Sequence, residues 1–297
     1  MNTKNIVKGL NISKKFKKFE LDVPELKVPK GYVTALIGEN GAGKSTLLNI
    51  MSGIRMDFKG KLNYFEDLPS VDADGVRERI GFVTPNDYYF PGWTISQIED
   101  MSSLLFDNFS PERFESLLKE LDVQTEGFGK KQKKISELSD GNRMKVMLAG
   151  VWARNTALLI LDEPASPLDP LMREKLCDMI RTYMEAGAGQ KSVFFSTHNV
   201  TDMENVTDYC IIMEQGKIVE EGFVEDLKEK YVLVKGELDV FDKASKNLIS
   251  VTKSSYGFEG LAYADKMDGL SGMDLSFETP TLSQLSVGIM RSYSKVV

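Results

Sequence analysis

The chain has 297 residues, of which 42% are apolar and 27% charged, and this balance is ordinary for a soluble globular protein with a large core. Its net charge of −7 argues against wholesale binding to nucleic acid or anionic lipid. The longest uncharged apolar stretch, residues 146–153, is far shorter than the roughly 20 residues of a membrane helix. The N-terminus also lacks the apolar core of a signal peptide.

A glycine-rich loop joins an apolar strand to a helix. Val33 to Ile37 is an apolar, β-branched run typical of a buried parallel strand, and residues 46–51 carry apolar residues at helical spacing before Gly53. The intervening GENGAGKS fits the phosphate-binding pattern G-x-x-x-x-G-K-[ST] through Gly38, Gly43, Lys44 and Ser45. Such a loop directs N–H groups toward a polyphosphate. We expect Lys44 to reach the β- and γ-phosphates and Ser45 to offer a hydroxyl to Mg²⁺.

A short polar segment, LSDGNR at 138–143, comes directly before a helical run over residues 144–153. Ser139 is typical of a residue that caps a helix N-terminus, and Gly141 permits close approach of another group. A capped helix accounts for this segment on its own, without any functional role.

A second apolar strand is predicted over residues 157–161, and it ends in two acids and Pro164. A phosphate-binding loop of this kind (a P-loop) requires a carboxylate near Mg²⁺, at the end of a neighbouring strand. Asp162 is placed to hold the ion in this way, through water. Glu163 is a candidate to orient or deprotonate the attacking water. Taken alone, the two acids are equally explained as solvated residues at a strand end.

The only histidine of the sequence, His198, follows a third apolar strand over residues 192–197. A lone histidine is usually structural. However, parallel sheets bind ligands at the carboxyl ends of their strands, so His198 could donate a hydrogen bond toward a γ-phosphate.

Together these motifs resemble one family, the nucleotide-binding subunits of ATP-binding cassette (ABC) transporters. GENGAGKST resembles the Walker A motif, LSDGNRMK the family signature, LLILDEP the Walker B motif with its glutamate, SPLD at 166–169 the D-loop, and STH the switch histidine. FKKFEL resembles the adenine-stacking region with Phe16 as its aromatic residue. RIGFVTPNDYYFPGWT resembles the segment that contacts the membrane subunit. The resemblance covers residues 1 to about 225.

The resemblance implies an α/β fold: a P-loop NTPase cassette with a RecA-like core, an antiparallel β arm and a helical subdomain, plus a small α+β C-terminal extension. The expected boundaries are residues 1–83 and 156–228 for the core, 84–155 for the helical subdomain and 229–297 for the extension. The implied residues that bind ATP are Phe16, Gly38, Asn40, Gly41, Gly43, Lys44, Ser45, Thr46, Ser139 and Gly141. Ser45 and Asp162 are the implied Mg²⁺ ligands, and Glu163 and His198 are the implied catalytic residues.

Two departures from the family pattern affect these expectations. Asp140 occupies the place of a second glycine in the signature, and Asn142 replaces its glutamine. The glutamine expected near Pro85 is absent, and Asn86 or Asp87 could substitute for it; the sequence does not choose between them.

The resemblance also implies partners. Walker motifs of one cassette face the signature of another, so the chain should act as a homodimer or beside a sister cassette, with two ATP molecules between them. It should power an integral membrane permease from the cytoplasmic face of the cell membrane, without binding nucleic acid. A cytosolic cassette ATPase acting on nucleic acid or ribosomes is the alternative, but the usual second cassette or coiled-coil insertion is not seen in the sequence.

The tail predicts short strands at 231–235, 248–251 and 273–277, and a helix after Pro280 with Thr281 and Gln284 as a capping box. It resembles the extension of separate-chain exporters of peptides and antimicrobials, which favours export of a peptide or other amphipathic or toxic compound. The tail is interpreted either as a dimerisation or regulatory element or as a passive lid.

Two interpretations of the aromatic residues at 88–93 remain open: they pack in the core, or they form a groove that receives a partner's helix. Cys177 and Cys210 are interpreted as buried, inert thiols.

Overall fold

The computed structural model describes residues 4–66, 68–73, 75–85, 89–123 and 133–294. The strands in these ranges are β1 (Asn5–Lys15), β2 (Glu20–Pro29), β3 (Val33–Ile37), β4 (Lys59–Tyr64), β5 (Ile80–Val83), β6 (Leu158–Leu161), β7 (Ser192–Thr197), β8 (Tyr209–Glu214), β9 (Lys217–Phe223), β10 (Tyr231–Gly236), β11 (Ser250–Lys253), β12 (Phe258–Tyr263) and β13 (Leu275–Glu278). The helices are α1 (Lys44–Met51), α2 (Val76–Arg79), α3 (Ile95–Leu105), α4 (Pro111–Glu120), α5 (Asp140–Trp152), α6 (Pro170–Ala186), α7 (Val224–Lys230), α8 (Phe241–Ala244) and α9 (Leu282–Ser294). None of the helices in the described ranges is both long enough and apolar enough to pass through a bilayer.

The centre of the molecule is a six-stranded sheet in the order β5-β6-β7-β3-β8-β9. All pairs in it are parallel except β8 with β9. Every residue of β3, β6 and β7 is buried, as the apolar residues that dominate β3 and β6 predict, and β7 also buries Ser192, Ser196 and Thr197. Because these strands run in parallel, the residues that follow them, Gly38, Asp162 and His198, share one edge of the sheet.

Successive residues of the central strands enter different cores, since side chains alternate across a sheet. Leu159 and Phe195 pack in the core beneath α5 and α6. Ile160 and Phe194 pack in a second core with α1 and with an antiparallel sheet of order β2-β1-β4. The predicted α/β fold and its antiparallel arm are therefore confirmed.

Helix α5 begins where the sequence predicts. The backbone N–H of Asn142 donates to the Ser139 hydroxyl over 3.3 Å, so Ser139 is its N-cap. The helix then buries an apolar face that runs from Met144 to Val151 in the core beneath the central sheet. This anchoring fixes the exposed start of α5 relative to the strand ends.

The C-terminal residues form a four-stranded sheet in the order β11-β12-β10-β13. Strands β10, β11 and β13 lie close to their predicted positions, whereas the pattern does not predict β12. Gly260 interrupts the alternation of β12. A Cβ there would stand only 2.7 Å from the Ser250 carbonyl oxygen and 2.6 Å from a Leu248 methyl group, so the glycine is required by packing.

The last helix, α9, is anchored to the main core. Its capping box is confirmed: Thr281 N–H donates to Gln284 Oε1 over 3.0 Å, and Gln284 N–H donates to Thr281 Oγ1 over 3.1 Å. Leu282, Leu285 and Ile289 are at most 5% exposed and belong to the same core as the central strands. The extension thus shares the cassette's core, and the boundary at residue 229 stays a prediction.

We expect Leu285→Ala to lower the free energy of unfolding by about 2–5 kcal/mol, because it deletes a fully buried side chain and leaves a cavity. Chemical denaturation monitored by circular dichroism measures this. Val287→Ala on the same helix is the matched control, since Val287 is 39% exposed. Equal destabilisation by the two variants would contradict the packing of α9 into the main core.

Both cysteines are buried, as predicted. Burial raises the pKa of the Cys177 thiol and raises that of Cys210 to about 12. Neither side chain is therefore a thiolate at neutral pH, which fits inert core residues.

Candidate active site

The loop between β3 and α1 has a backbone that only glycine accommodates well. Gly41 and Gly43 have φ angles of 87° and 107°, in the left-handed region. At Gly38 a Cβ would stand 2.4 Å from the Met213 carbonyl oxygen, so the loop presses directly on β8. The Gly216 N–H also donates to the Ala42 carbonyl over 2.9 Å. The loop is thus held rigidly between two neighbouring strands and a helix.

Lys44 is the first residue of α1 and is only 5% exposed. Its ammonium group donates to the carbonyl oxygens of Gly38 over 2.8 Å and Glu39 over 3.2 Å, and lies 3.4 Å from Glu163 Oε1. A buried cation needs such oxygen partners. Phosphate oxygens form stronger, charge-assisted hydrogen bonds. The predicted phosphate contact therefore requires only that Lys44 exchange its present oxygen partners for phosphate oxygens.

Asp162 follows β6 and is 2% exposed. Its Oδ1 accepts a hydrogen bond from Ser196 Oγ over 2.5 Å, and the Ser45 hydroxyl also hydrogen bonds to this carboxyl group. Burial raises the pKa of Asp162, although the bonds from Ser196 and Ser45 and the charge of Lys44 act in the opposite direction. A bound dication would favour the ionised form further.

The donor set at Ser45 and Asp162 fits Mg²⁺. A hydroxyl and a carboxylate are the hard oxygen ligands that this ion takes, and it usually keeps water and phosphate oxygens as its other ligands. Within the ranges that the structure describes, no group of three His, Cys, Asp or Glu side chains could hold a metal ion. Ser45 and Asp162 would supply two oxygen ligands to Mg²⁺, and water and phosphate oxygens of a nucleotide would supply the others.

Glu163 has three distinctive features. Its φ of 47° is uncommon for a residue with a side chain, and such strained positions often occur at functional sites. Its backbone N–H donates to Ser196 Oγ over 3.0 Å, and its carboxylate lies between Lys44 and His198, with Oε2 2.8 Å from His198 Nδ1. The side chain is 17% exposed. The structure therefore brings the two predicted catalytic residues, Glu163 and His198, into direct contact.

His198 makes a hydrogen bond that the sequence does not predict, and its predicted contact with a γ-phosphate stays a prediction. His198 is 43% exposed, and its Nδ1 contacts the Glu163 carboxylate. It follows β7 at the same sheet edge as the phosphate loop, so its position suits the predicted role at a γ-phosphate. In this structure the hydrogen-bond partner of His198 is Glu163.

Ser196 is a site residue that the sequence patterns do not predict. Its hydroxyl accepts from the Glu163 N–H and donates to Asp162, and so it joins both acids from the adjacent strand. A serine inside an apolar strand predicts no contact by itself. Its one local signal is that it directly precedes Thr197 and His198 at a strand end.

Phe16 lies in the turn after β1 and is 37% exposed. The Lys14 ammonium and the Arg55 guanidinium lie 5.8 and 5.4 Å from its ring centroid. Its ring is 5.9 Å from that of Phe19, which in turn fills the space beside Gly43. An exposed aromatic face near the phosphate loop suits stacking with a base. Asn40 and Gly41 are exposed in the loop, and Thr46 is half-buried in the first turn of α1.

The start of α5 faces Glu163 across a cavity. A cavity of about 590 Å³ is lined by Glu163 and His198 on one side and by Asp140 and Arg143 on the other. Gly141 packs closely on the segment after Glu163, since a Cβ would lie 2.9 Å from the Pro167 carbonyl oxygen. The Ser139 side chain caps α5 and is exposed.

Two predicted features lie outside the described residues. Asn86 and Asp87, the candidates to replace the missing glutamine, belong to residues 86–88, which also include Tyr88. Pro85 lines the cavity that contains Glu163. Of the other aromatic residues in this stretch, Tyr89 and Trp93 pack against the main core, and Phe90 is 66% exposed.

The sequence is also similar to those of known proteins. A family profile described as ABC transporter matches residues 21–166. The "probable sulfate/thiosulfate import ATP-binding protein CysA" of Chlorella vulgaris is 31% identical over 227 residues, which cover 74% of this chain and 92% of that protein. The energy-coupling factor transporter ATP-binding protein EcfA1 of Lactobacillus johnsonii is 28% identical, over 75% of this chain and 80% of that protein.

Solved structures show the same fold. A dimeric ATP-binding cassette in a post-hydrolysis state, bound to ADP and phosphate, matches with a TM-score of 0.62 and 23% identity, over 73% of this chain and 98% of that chain. The CbiO1 protein of Clostridium perfringens, part of an ABC transporter complex, matches with a TM-score of 0.58 and 23% identity, over 75% and 90% of the two chains.

Proposed function

The chain belongs to the ABC transporter family and is an ATPase of that family, and from this premise we propose that it dimerises around two ATP molecules to drive a separate membrane permease. The observation that carries the proposal is the contact between Lys44 and the Glu163 carboxylate, which also touches His198. One buried cation and one candidate base share a site that opens on the phosphate loop.

The proposed reaction assigns a role to each of these groups. Lys44 and the loop N–H groups bind the phosphates, and Ser45 and Asp162 would hold Mg²⁺ together with the nucleotide, where the ion would neutralise phosphate charge. Lys44 then releases Glu163, whose carboxylate is free to orient and deprotonate the attacking water. As an imidazolium, His198 donates from Nδ1 to Glu163, which keeps that carboxylate in place, and donates from Nε2 toward the terminal phosphate.

The proposed dimer places the start of α5 of one copy against the nucleotide of another. The N-terminus of α5 suits this role, because Ser139 and Asp140 are exposed there. Leu171, which follows the segment 166–169, is 74% exposed and offers apolar area beside it. A homodimer and a pair with a sister cassette both satisfy this geometry.

The proposed permease-contacting surface comprises the two ends of α3: Phe90 lies shortly before the helix, and Leu104 and Leu105 are its last two residues. These side chains are 66%, 76% and 60% exposed. Large exposed apolar side chains of this kind suit contacts with a partner protein. The surface includes part of the segment that resembles the permease-contacting region, and a cytoplasmic loop of a membrane protein is its proposed partner, which would hold the chain at the cytoplasmic face of the membrane.

The proposed direction is export of a peptide or other amphipathic or toxic compound. Its support is the resemblance of the C-terminal extension to that of separate-chain exporters. A relative whose name includes import supports the opposite direction. The permease that copurifies with the chain will decide between them, because substrate and direction are properties of the permease.

The test is to tag the chain in its host, extract membranes in mild detergent and identify the proteins that copurify. We expect a hydrophobic, multi-spanning protein, and we expect its yield to fall at least about tenfold when Phe90, Leu104 and Leu105 are all changed to serine. Nucleotide binding by the variant is the control for folding. Copurification of ribosomal or DNA-associated proteins instead would support the cytosolic alternative.

A further inference from the structure

We propose that Arg143 neutralises Asp140 so that the start of α5, despite its carboxylate, can approach the nucleotide phosphates held by another copy of the chain. Arg143 is then a positioning residue that sets the ATP concentration at which the dimer closes. The inference rests on the proposed function, because it needs α5 to meet a nucleotide across the dimer.

The two side chains are in direct contact at the first turn of α5. The guanidinium Nη2 of Arg143 donates to Asp140 Oδ1. Asp140 is 78% exposed and Arg143 is 33% exposed, so the carboxylate projects outward while the guanidinium lies partly covered beside it. A carboxylate here stabilises the helix itself through the helix dipole. The Asp140 carboxylate therefore stabilises the helix, but it repels an approaching anion.

The pair borders the candidate site of its own chain, although the Asp140 carboxylate is open to solvent. Asp140 and Arg143 line the cavity of about 590 Å³ that also contains the side chains of Glu163 and His198. Among the described residues that line this cavity, Arg143 is the only permanent cation, and Asp140 and Glu163 are both acids. Glu163 already has Lys44 as a cationic partner, so among the described residues that line the cavity the Asp140 carboxylate depends on Arg143 for compensation.

The electrostatic consequence concerns Asp140 in particular. Bringing like charges together at an interface costs several kcal/mol unless a cation compensates them. With Arg143 in place, the first turn of α5 is neutral overall and still presents backbone N–H groups to an anion. Without Arg143, the carboxylate would repel a triphosphate at the same distance.

The experiment measures ATP-driven dimerisation in a Glu163→Gln background by light scattering across ATP concentrations at low salt. We expect Arg143→Ala to raise the half-maximal ATP concentration roughly tenfold or more. Asp140→Asn/Arg143→Ala should return it to within about threefold of the parent protein, because the uncompensated charge is gone. Raising the ionic strength should shrink the defect of Arg143→Ala.

Two further variants separate charge from structure. Arg143→Lys keeps the charge and should stay close to the parent protein. Lys145→Ala removes a cation of α5 that does not line the cavity, and should also have no effect. Thermal melting of each variant verifies that it folds.

Three outcomes would overturn the inference. Dimerisation that is normal in Arg143→Ala, or a defect that Asp140→Asn fails to relieve, would overturn this inference alone. Absence of any ATP-driven dimer in the Glu163→Gln parent would overturn the proposed function and this inference together.

Discussion

Replacing Lys44 with alanine is expected to abolish measurable ATP binding, with an affinity loss of at least about 100-fold. Its ammonium is 5% exposed and already lies among oxygen atoms at 2.8–3.4 Å, so it is positioned for phosphate oxygens without reorganising the loop. Removal also leaves Glu163 without its cationic partner. Isothermal titration with Mg-ATP measures the loss.

Lys61→Ala is the matched control for the lysine change, because Lys61 is exposed on the β arm, away from the loop. It should bind ATP normally. Thermal melting of Lys44→Ala distinguishes lost binding from lost structure. A folded Lys44→Ala protein with near-normal affinity would mean that the loop binds phosphate through its N–H groups alone, and that Lys44 is a structural partner of Glu163.

The second large effect is expected for Glu163→Gln, which should retain ATP binding while turnover falls at least about 100-fold. The carboxamide has nearly the shape of the carboxylate but is not a base, so the water is no longer deprotonated. Because bound ATP then persists, the dimer should persist with it. Phosphate release and light scattering in Mg-ATP measure the two parts of this prediction.

Glu185→Gln, an exposed residue near the end of α6, is the control for this change and should leave turnover intact. His198→Ala should reduce turnover as well, since His198 Nδ1 lies 2.8 Å from Glu163 Oε2. A Glu163→Gln protein that stays monomeric with ATP would contradict the sandwich dimer. Unchanged phosphate release in His198→Ala would make that histidine a structural residue.

The sequence predicts the central strands well for a physical reason. Strands β3, β6 and β7 are buried on both faces, so apolar residues make up all of β6, most of β3 and the centre of β7. The sequence does not predict strand β12, because its Gly260 is required only by the close packing of Ser250 and Leu248. That requirement arises only once the strands are paired.

The site was predictable residue by residue but not as a set of contacts. The loop glycines, Lys44 and Asp162 follow from local patterns, because each has a fixed offset from a strand or helix. The contact of Lys44 with Glu163 and the bridge through Ser196 join segments far apart in the chain. Local spacing carries no information about such distances.

The packing of α9 has a consequence for how the protein is made. Every residue with a proposed role in ATP binding or hydrolysis precedes residue 200, yet the apolar surface beneath the central sheet is completed by Leu282, Leu285 and Ile289. During synthesis the site can therefore be present while its core is still open. A transcript that ends early would encode all the ATP chemistry and still yield a chain with exposed apolar surface, prone to aggregation and to proteolysis.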